Sequence, residues 1–276
     1  MHGGPGQATS NLAYLTDKDI TTHTMVYYDQ RGAGKTLLKN WRSKKEITLE
    51  LLLEDLHEIV AFIKAKYKKD KVALLGHSWG SLLGTEYIKK YPEDILCYIS
   101  VGQMVNTIAG EKAGFDELMR RVNQNDQKLM KKIHQLGNYP FNLDKENRMK
   151  QMIKVRNLQA KHGIGTNVKE MFKVFIKSPI FTPLDFVAMF VGTFKNKRLE
   201  EVDFSYDTSD FKHYQIPIYY VLGENDWQVP SVVAAAYHES LSAPKKAIFW
   251  IKNAGHVPSL ENTKDFNQAI SEILAS

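Results

Sequence analysis

The sequence predicts an α/β protein in which helices cover both faces of a mostly parallel sheet. Strand-like apolar runs alternate with amphipathic helical patterns between residues 24 and 101, and the alternation returns after residue 206. Such alternation is typical of parallel strands joined by crossover helices. With 276 residues, of which 43% are hydrophobic and 25% charged, the chain can form one large domain with a sizeable core.

The first elements follow one another closely. Met25 to Tyr28 has the composition of a short strand that ends in a turn-rich segment. Apolar residues recur at three- and four-residue spacing from Thr48 to Lys66, which predicts an amphipathic helix capped by Thr48. Three elements complete this part: a strand at Val72 to Leu75, a helix at Ser78 to Tyr91 and a strand at Ile95 to Val101.

Residues 104 to 205 interrupt the alternation with helical periodicity rich in Lys, Met and Phe. We therefore predict a core formed by residues 1–103 and 206–276, and a helical cap formed by residues 104–205. The apolar side chains of the cap form its own core, or alternatively line a pocket or touch a partner: Met171, Phe172, Phe175, Phe181, Phe186, Met189 and Phe190. The core resumes with strands at Ile216 to Leu222 and Lys246 to Ile251 and helices at Val232 to Leu241 and Thr263 to Leu274.

Charge and cysteine content argue against several classes of protein. The formal charge of +6 comes from lysines spread over several segments without interleaved aromatic residues, so we expect solvated surfaces and no nucleic-acid partner. The single cysteine, Cys97, cannot build a disulfide framework. No apolar run approaches the ~18 residues of a membrane-spanning helix. We therefore expect a cytoplasmic protein with no membrane partner.

The segment Gly76-His77-Ser78-Trp79-Gly80 matches the pattern G-x-S-x-G and stands between a predicted strand and a predicted helix. In that context the pattern marks a nucleophilic serine on a sharp strand-to-helix turn. We predict Ser78 as the nucleophile. The backbone N–H of Trp79, at the start of the helix, would then face the developing oxyanion.

A serine hydroxyl needs a histidine base and a carboxylate that orients the histidine. Asp226 follows the predicted strand that ends at Leu222, and His256 follows the strand that ends at Ile251. Both loops belong to the carboxyl edge of a parallel sheet, where such sheets bind their ligands. We therefore predict Asp226 and His256 as the partners of Ser78.

The glycine-rich segment His2-Gly3-Gly4-Pro5-Gly6 can direct a backbone N–H at the carbonyl oxygen under attack. We favour Gly3 as this oxyanion-hole donor and keep Gly4 as the alternative.

Nucleotide and metal binding are not expected. Gly34-Lys35-Thr36 resembles the end of a phosphate-binding loop, but the first glycine of that pattern is replaced by Asp29. No cluster of His, Cys or carboxylate residues has the spacing of metal ligands. The sequence therefore predicts no cofactor.

Together the motifs resemble the proline iminopeptidase branch of the α/β-hydrolase fold superfamily: HGGPG, DQRGAGKT, GHSWGS, the aspartate of GEND, and NAGHVPSLEN. The resemblance runs from residue 2 to about residue 262, interrupted by the insertion. It implies a serine aminopeptidase that releases an amino-terminal residue, often proline, through an acyl-enzyme. It also implies a helical cap and no metal or organic cofactor.

The cap departs from this branch. Members with peptidase activity hold the substrate amine with acidic cap residues, commonly in a tryptophan-glutamate motif, whereas residues 104–205 contain no tryptophan. Six carboxylates could serve, and the sequence assigns none of them: Glu111, Glu117, Glu170, Asp185, Glu200 and Glu201.

The start of the chain also departs from the branch. Related proteins place three strands before the HGGPG-like loop, whereas here Met1 alone precedes His2. We therefore expect a sheet without its amino-terminal strands, from a truncated reading frame or from a genuine fragment with impaired or partner-dependent function.

The leading interpretation is an aminopeptidase acting on a small molecule or short peptide. The alternatives are an esterase or lactonase acting on small acyl substrates, a non-catalytic receptor and an inactive fragment. An acidic pocket would favour peptides and an apolar pocket would favour esters. The oligomeric state is left open.

Overall fold

Four parallel strands form the sheet of this protein. The computed structural model describes residues 1–17, 19–141, 147–166 and 168–276. Within these residues the strands are β1 (Val72–His77), β2 (Ile95–Val101), β3 (Ile218–Gly223) and β4 (Lys246–Ile251), arranged in that order across the sheet. All three pairings are parallel, as the alternation in the sequence predicts.

Helices surround the sheet and fill the segment between β2 and β3. The described α-helices are α1 (Gly34–Lys39), α2 (Leu49–Tyr67), α3 (Trp79–Lys90), α4 (Thr107–Arg121), α5 (Gln127–His134), α6 (Arg148–Lys161), α7 (Val168–Ile176), α8 (Pro183–Lys195), α9 (Leu199–Ser205), α10 (Ser231–Ser240), α11 (Pro258–Glu261) and α12 (Thr263–Ala275).

The predicted amphipathic helix is confirmed as α2. The hydroxyl of Thr48 accepts a hydrogen bond from the Leu51 amide at 3.2 Å, which caps the first turn. The helix ends at Lys68, whose backbone is left-handed with φ 52°. The strands at Ile95–Val101 and Lys246–Ile251 have the predicted bounds, and the other predicted core helices and strands differ by a few residues at their ends.

The prediction of a strand at Met25 to Tyr28 is wrong. This segment has no strand assignment, and within the described residues no strand lies beside it to complete a ladder of hydrogen bonds. Val26 and Tyr27 are exposed, so the apolar pattern is not matched by burial. A β-like composition specifies a strand only when a neighbouring strand is present.

The segment between β2 and β3 contains helices α4 to α9 and, among its described residues, no strand. It has its own apolar cluster, in which Leu118, Val155 and Leu136 are almost fully buried. The helical content agrees with the predicted insertion. The division of the chain into a core and a cap stays a prediction.

The two faces of the sheet pack against different helices. Tyr98 of β2 joins Leu56 of α2 and Leu82 of α3 in one cluster. Ile99, the next residue of β2, joins Ile270 of α12 in a second cluster on the opposite face. This alternation arises because successive side chains of a strand point to opposite faces. No described helix is long and apolar enough to cross a membrane.

We expect Leu56→Ala to lower the free energy of unfolding by about 2–5 kcal/mol, because it leaves a cavity in a packed core. Leu56 is 1% exposed, whereas Leu96 on β2 is 59% exposed. Leu96→Ala is therefore the matched control and should change stability by less than about 1 kcal/mol. Denaturant unfolding followed by circular dichroism measures both. Equal losses for the two variants would contradict this assignment of the core.

Candidate active site

Three chemically reactive side chains meet at the carboxyl edge of the sheet. Ser78 follows β1, Asp226 lies in the loop after β3, and His256 lies in the loop after β4. Because parallel strands all end at the same edge, residues far apart in sequence come together there. The structure thus brings together the three residues that the sequence predicts as a triad.

The backbone of Ser78 has an unusual conformation. Its φ and ψ are 54° and −123°, in a region that residues with a side chain rarely adopt. The Ser78 amide donates to the carbonyl of Val101 at 2.9 Å, which extends the ladder between β1 and β2 by one residue. Helix α3 then begins at Trp79. The chain therefore turns sharply at Ser78, as the G-x-S-x-G pattern predicts.

A continuous hydrogen-bonded chain links the three side chains. His256 Nε2 lies 3.0 Å from Ser78 Oγ, and His256 Nδ1 lies 2.9 Å from Asp226 Oδ2. An ionised carboxylate only accepts, so Nδ1 carries the proton and Nε2 presents a lone pair to the serine hydroxyl. This arrangement can remove a proton from Ser78 as its oxygen attacks an electrophile.

The loop after β3 fixes Asp226 firmly. Its Oδ1 accepts hydrogen bonds from the amides of Gln228 at 3.0 Å and Val229 at 2.9 Å, while Oδ2 faces His256. The carboxylate is buried. Because both oxygens are engaged, the histidine is held in one orientation.

The HGGPG segment is tied to the turn by hydrogen bonds around His2. The amide of Gln30 donates to His2 Nε2 at 2.9 Å, so His2 Nδ1 carries the proton and donates to the Gly3 carbonyl at 2.7 Å. Gln30 also donates from its side chain to the His2 carbonyl and accepts from the Trp79 indole at 3.2 Å. Burial lowers the pKa of His2 to about 4, so it stays neutral near pH 7.

Gly3 lies directly beside the nucleophile turn. A Cβ at Gly3 would stand 3.1 Å from Ser78 Cβ, so a side chain here would crowd the serine. Gly80 permits an equally close approach, because a Cβ there would stand 2.7 Å from the His2 carbonyl oxygen. Gly4 lines the cavity next to Ser78. Gly3, Gly4 and Trp79 stay predictions as oxyanion-hole donors, although their position suits that role.

His77 connects the turn to the loop that carries His256. His77 Nε2 lies 2.7 Å from the backbone carbonyl of His256, so this nitrogen must carry the proton. The two imidazole rings lie 4.9 Å apart. Burial, and after it the proximity of the His256 ring, lower the pKa of His77 to about 3. The pattern G-x-S-x-G leaves position 77 open to any residue, whereas the structure gives His77 a specific hydrogen bond.

A cavity of about 120 Å³ opens beside Ser78. Its lining includes both apolar and charged side chains. The apolar lining comprises Met104, Val105, Met152, Val229, Pro230 and Val233, and the charged lining comprises Glu111, Arg156 and Asp203.

The cavity lining includes one paired and one unpaired carboxylate. Glu111 is buried, forms an ion pair with Arg156 and accepts a hydrogen bond from Tyr139. The Asp203 carboxylate makes no hydrogen bond or ion pair with the described residues. Burial, and after it the charge of Glu111, raise the pKa of Asp203 to about 7. Asp203 is therefore available to a ligand.

Of the six candidate carboxylates in the sequence, Glu111 alone lines this cavity within the described residues. Glu117 is paired with two arginines and Asp185 with Lys35, while Glu200 and Glu201 lie outside the lining. The side chain of Glu170 lies outside the described residues.

Sequence reasoning missed Asp203 and Gln103. Gln103 follows β2 at the same edge as the three reactive side chains, so the strand-end argument could have found it. It is buried and lines the cavity, and its Oε1 has no partner. Asp203 shares a short helix with two other acidic residues, and the sequence has no signal for which one faces the cavity. Among the described residues, no group of His, Cys, Asp and Glu could hold a metal ion.

Comparison with known proteins gives consistent results. The sequence profile of the α/β hydrolase fold family matches residues 1–263. A probable aminopeptidase of Bacillus subtilis, YbaC, is 23% identical over 98% of this chain and 86% of its own length. A proline iminopeptidase of Saccharolobus solfataricus is 24% identical over 99% of this chain and 83% of its own length. The structure of a proline iminopeptidase-related protein from Thermus thermophilus superposes with a TM-score of 0.64 at 19% identity. The superposition covers 100% of this chain and 87% of that protein.

We expect His77 to stay neutral in the Nε2–H form across the pH range where an ordinary histidine, with a pKa of about 6.5, takes up a proton. The reason is that burial disfavours the charged ring, and this effect outweighs the hydrogen bond to the His256 carbonyl, which by itself raises the pKa of His77. Nuclear magnetic resonance of ¹⁵N-labelled histidine measures the protonation state, and the signal that is lost in His77→Gln identifies His77. A protonation midpoint near that of an ordinary histidine would contradict the burial of the ring.

Proposed function

The chain belongs to the α/β hydrolase fold family, and from that premise we propose that it is a serine hydrolase in which Ser78 is the nucleophile. His256 is the general base and Asp226 orients it. The observation that carries this proposal is the unbroken hydrogen-bonded chain from Ser78 through His256 to Asp226, on a turn with the backbone conformation of an exposed nucleophile.

The geometry supports a two-step acyl transfer. Ser78 Oγ forms a bond to the substrate carbonyl carbon while its proton passes to His256 Nε2. The amides of Gly3, or alternatively Gly4, and of Trp79 stabilise the negative charge on the carbonyl oxygen. His256 then gives the proton to the leaving group as the bond between the leaving group and the carbonyl carbon breaks. A water molecule, deprotonated by His256, then attacks the carbonyl carbon of the acyl-enzyme. The bond from this carbon to Ser78 Oγ breaks, His256 returns the proton to Ser78 Oγ, and the acid is released.

The proposed reaction is release of an amino-terminal residue, as the names of the relatives suggest. The unpaired carboxylate of Asp203 supports it, because a free amine is cationic near neutral pH and needs an anionic partner when it is buried. Glu111 adds negative charge beside Asp203, although Arg156 offsets much of it. The apolar residues of the cavity lining suit a small apolar side chain such as that of proline.

A second candidate is hydrolysis of small esters or lactones. It is favoured by the pairing of Glu111 with Arg156 and by the raised pKa of Asp203. Below about pH 7 these features leave the cavity without a free negative charge. Binding of an uncharged acyl substrate would then cost less desolvation free energy than binding of a cationic amine.

We expect a fluorophosphonate probe to label Ser78, and Ser78→Ala to abolish both labelling and turnover. The reason is that the probe reacts with an activated serine hydroxyl. Mass spectrometry locates the label, and Ser81→Ala is the matched serine control at a position whose hydroxyl bonds the Ser78 carbonyl at 2.6 Å. Labelling retained in a folded Ser78→Ala variant would exclude Ser78 as the nucleophile.

A comparison of prolyl-anilide with short-chain ester turnover separates the two candidate reactions.

We expect kcat/KM for prolyl-anilide to rise as pH increases through about 7, because Asp203 ionises there and then attracts the substrate amine. Asp203→Asn should lower kcat/KM about ten- to a hundredfold, mainly through KM, and remove this rise. Short-chain ester turnover should change little.

Glu200→Gln on the same helix α9 lies outside the cavity lining and is the matched control. If Asp203→Asn lowers ester and anilide turnover equally, Asp203 does not bind the amine.

A further inference from the structure

Helix α8 has an exposed apolar face opposite a face that is already buried. Asp185, Ala188 and Gly192 are buried, and the helix packs against α1. The opposite side carries large apolar residues at three- and four-residue spacing, here called the α8 face: Leu184, Val187, Phe190 and Phe194. Phe190 is 70% exposed and Phe194 64% exposed.

This exposure is unusual for a folded protein. A helix that is apolar on all sides is ordinarily buried, and contiguous apolar surface marks an interaction site. Neighbouring Phe172 and Ile176 of α7, and Ile180 after it, are exposed as well. Of the cap side chains named from the sequence, Phe175 is buried, but Phe172 and Phe190 are not part of a closed core.

A basic segment adjoins the α8 face. Residues 39–45 are all exposed, and they contain Trp41 and four cationic side chains: Lys39, Arg42, Lys44 and Lys45. Lys195 at the end of α8 donates to the Ser43 carbonyl at 2.8 Å, which joins the two surfaces. The next acidic residue, Glu46, is already paired with Arg198. The basic segment therefore lies beside the carboxyl end of α8, next to Phe194, and gives the α8 face a basic border at that end.

We propose that the α8 face and the basic segment together dock on the surface of an anionic phospholipid bilayer. Phe190, Phe194 and Trp41 enter the boundary between headgroups and acyl chains, and the basic segment contacts the anionic headgroups. Interfacial helices of this kind combine apolar burial with attraction between lysines or arginines and anionic lipid.

Charge complementarity favours this occupant over a second copy of the chain. A symmetric dimer through the α8 face would bring two basic borders together, and the chain already carries a formal charge of +6. An anionic bilayer complements both the apolar face and its border. This contact needs no spanning helix, and it differs from the sequence-based expectation of no membrane partner.

The test is cosedimentation of the full chain with phosphatidylcholine vesicles, with and without phosphatidylserine. We expect binding to the vesicles that contain phosphatidylserine, weakened by salt. Phe190→Ser with Phe194→Ser, and separately Lys44→Glu with Lys45→Glu, should each weaken it at least about tenfold. Circular dichroism melting checks that each variant is folded. If the double serine variant does not fold, the double glutamate variant still tests the proposal.

Two matched controls decide the interpretation. Phe62→Ser changes an aromatic side chain on α2 that is also 64% exposed, and Lys69→Glu with Lys71→Glu reverses two exposed charges elsewhere. Both should retain binding. Equal binding to both kinds of vesicle, equal loss in the controls, or no binding by the wild-type chain would overturn the proposal. A concentration-dependent dimer that the α8 variants abolish, without vesicle binding, would assign the face to a second copy.

Discussion

The left-handed backbone at Ser78 is the constraint on which the arrangement of this protein depends. The chain must leave β1, reverse direction and enter α3 within one residue, and it does so at a residue with a side chain. Such a conformation persists only when its surroundings hold it in place. Here β2 extends its ladder to the Ser78 amide, and Gly80 lets the backbone of His2 approach α3 closely.

The same constraint explains why three separate motifs occur together. His2 belongs to HGGPG, Gln30 to DQRG and Trp79 to GHSWG, and their side chains form one hydrogen-bonded network. The network requires a neutral His2 ring, which burial provides. Loss of the Gln30 side chain would therefore leave buried polar groups of both His2 and Trp79 without a partner, whereas loss of His2 or Trp79 would do so for Gln30. His77 adds a further connection, from the turn to the loop of His256.

Local pattern was sufficient to predict most of the core. Periodicity identified α2 and its cap at Thr48, and the order of strands placed Ser78, Asp226 and His256 at one edge of the sheet.

The local sequence pattern failed at Met25 to Tyr28, because a strand is defined by its neighbour as much as by its own residues. It also failed at Asp203, since an acidic residue on a short helix is recognised as lining the cavity only after the packing of α4, α6 and α9 is known. The predicted cap, residues 104–205, contains no recognised motif, so the positions of its side chains became known only from the structure.

The distance along the chain between the reacting groups has a consequence for folding. Ser78 and His256 are 178 residues apart in sequence, and β3 and β4 must both pair before the histidine reaches the serine. Contacts of such long sequence separation form late and cooperatively. A partly folded chain would therefore leave Ser78 without its histidine. If Ser78 is the proposed nucleophile, its reactivity would report completion of the whole sheet.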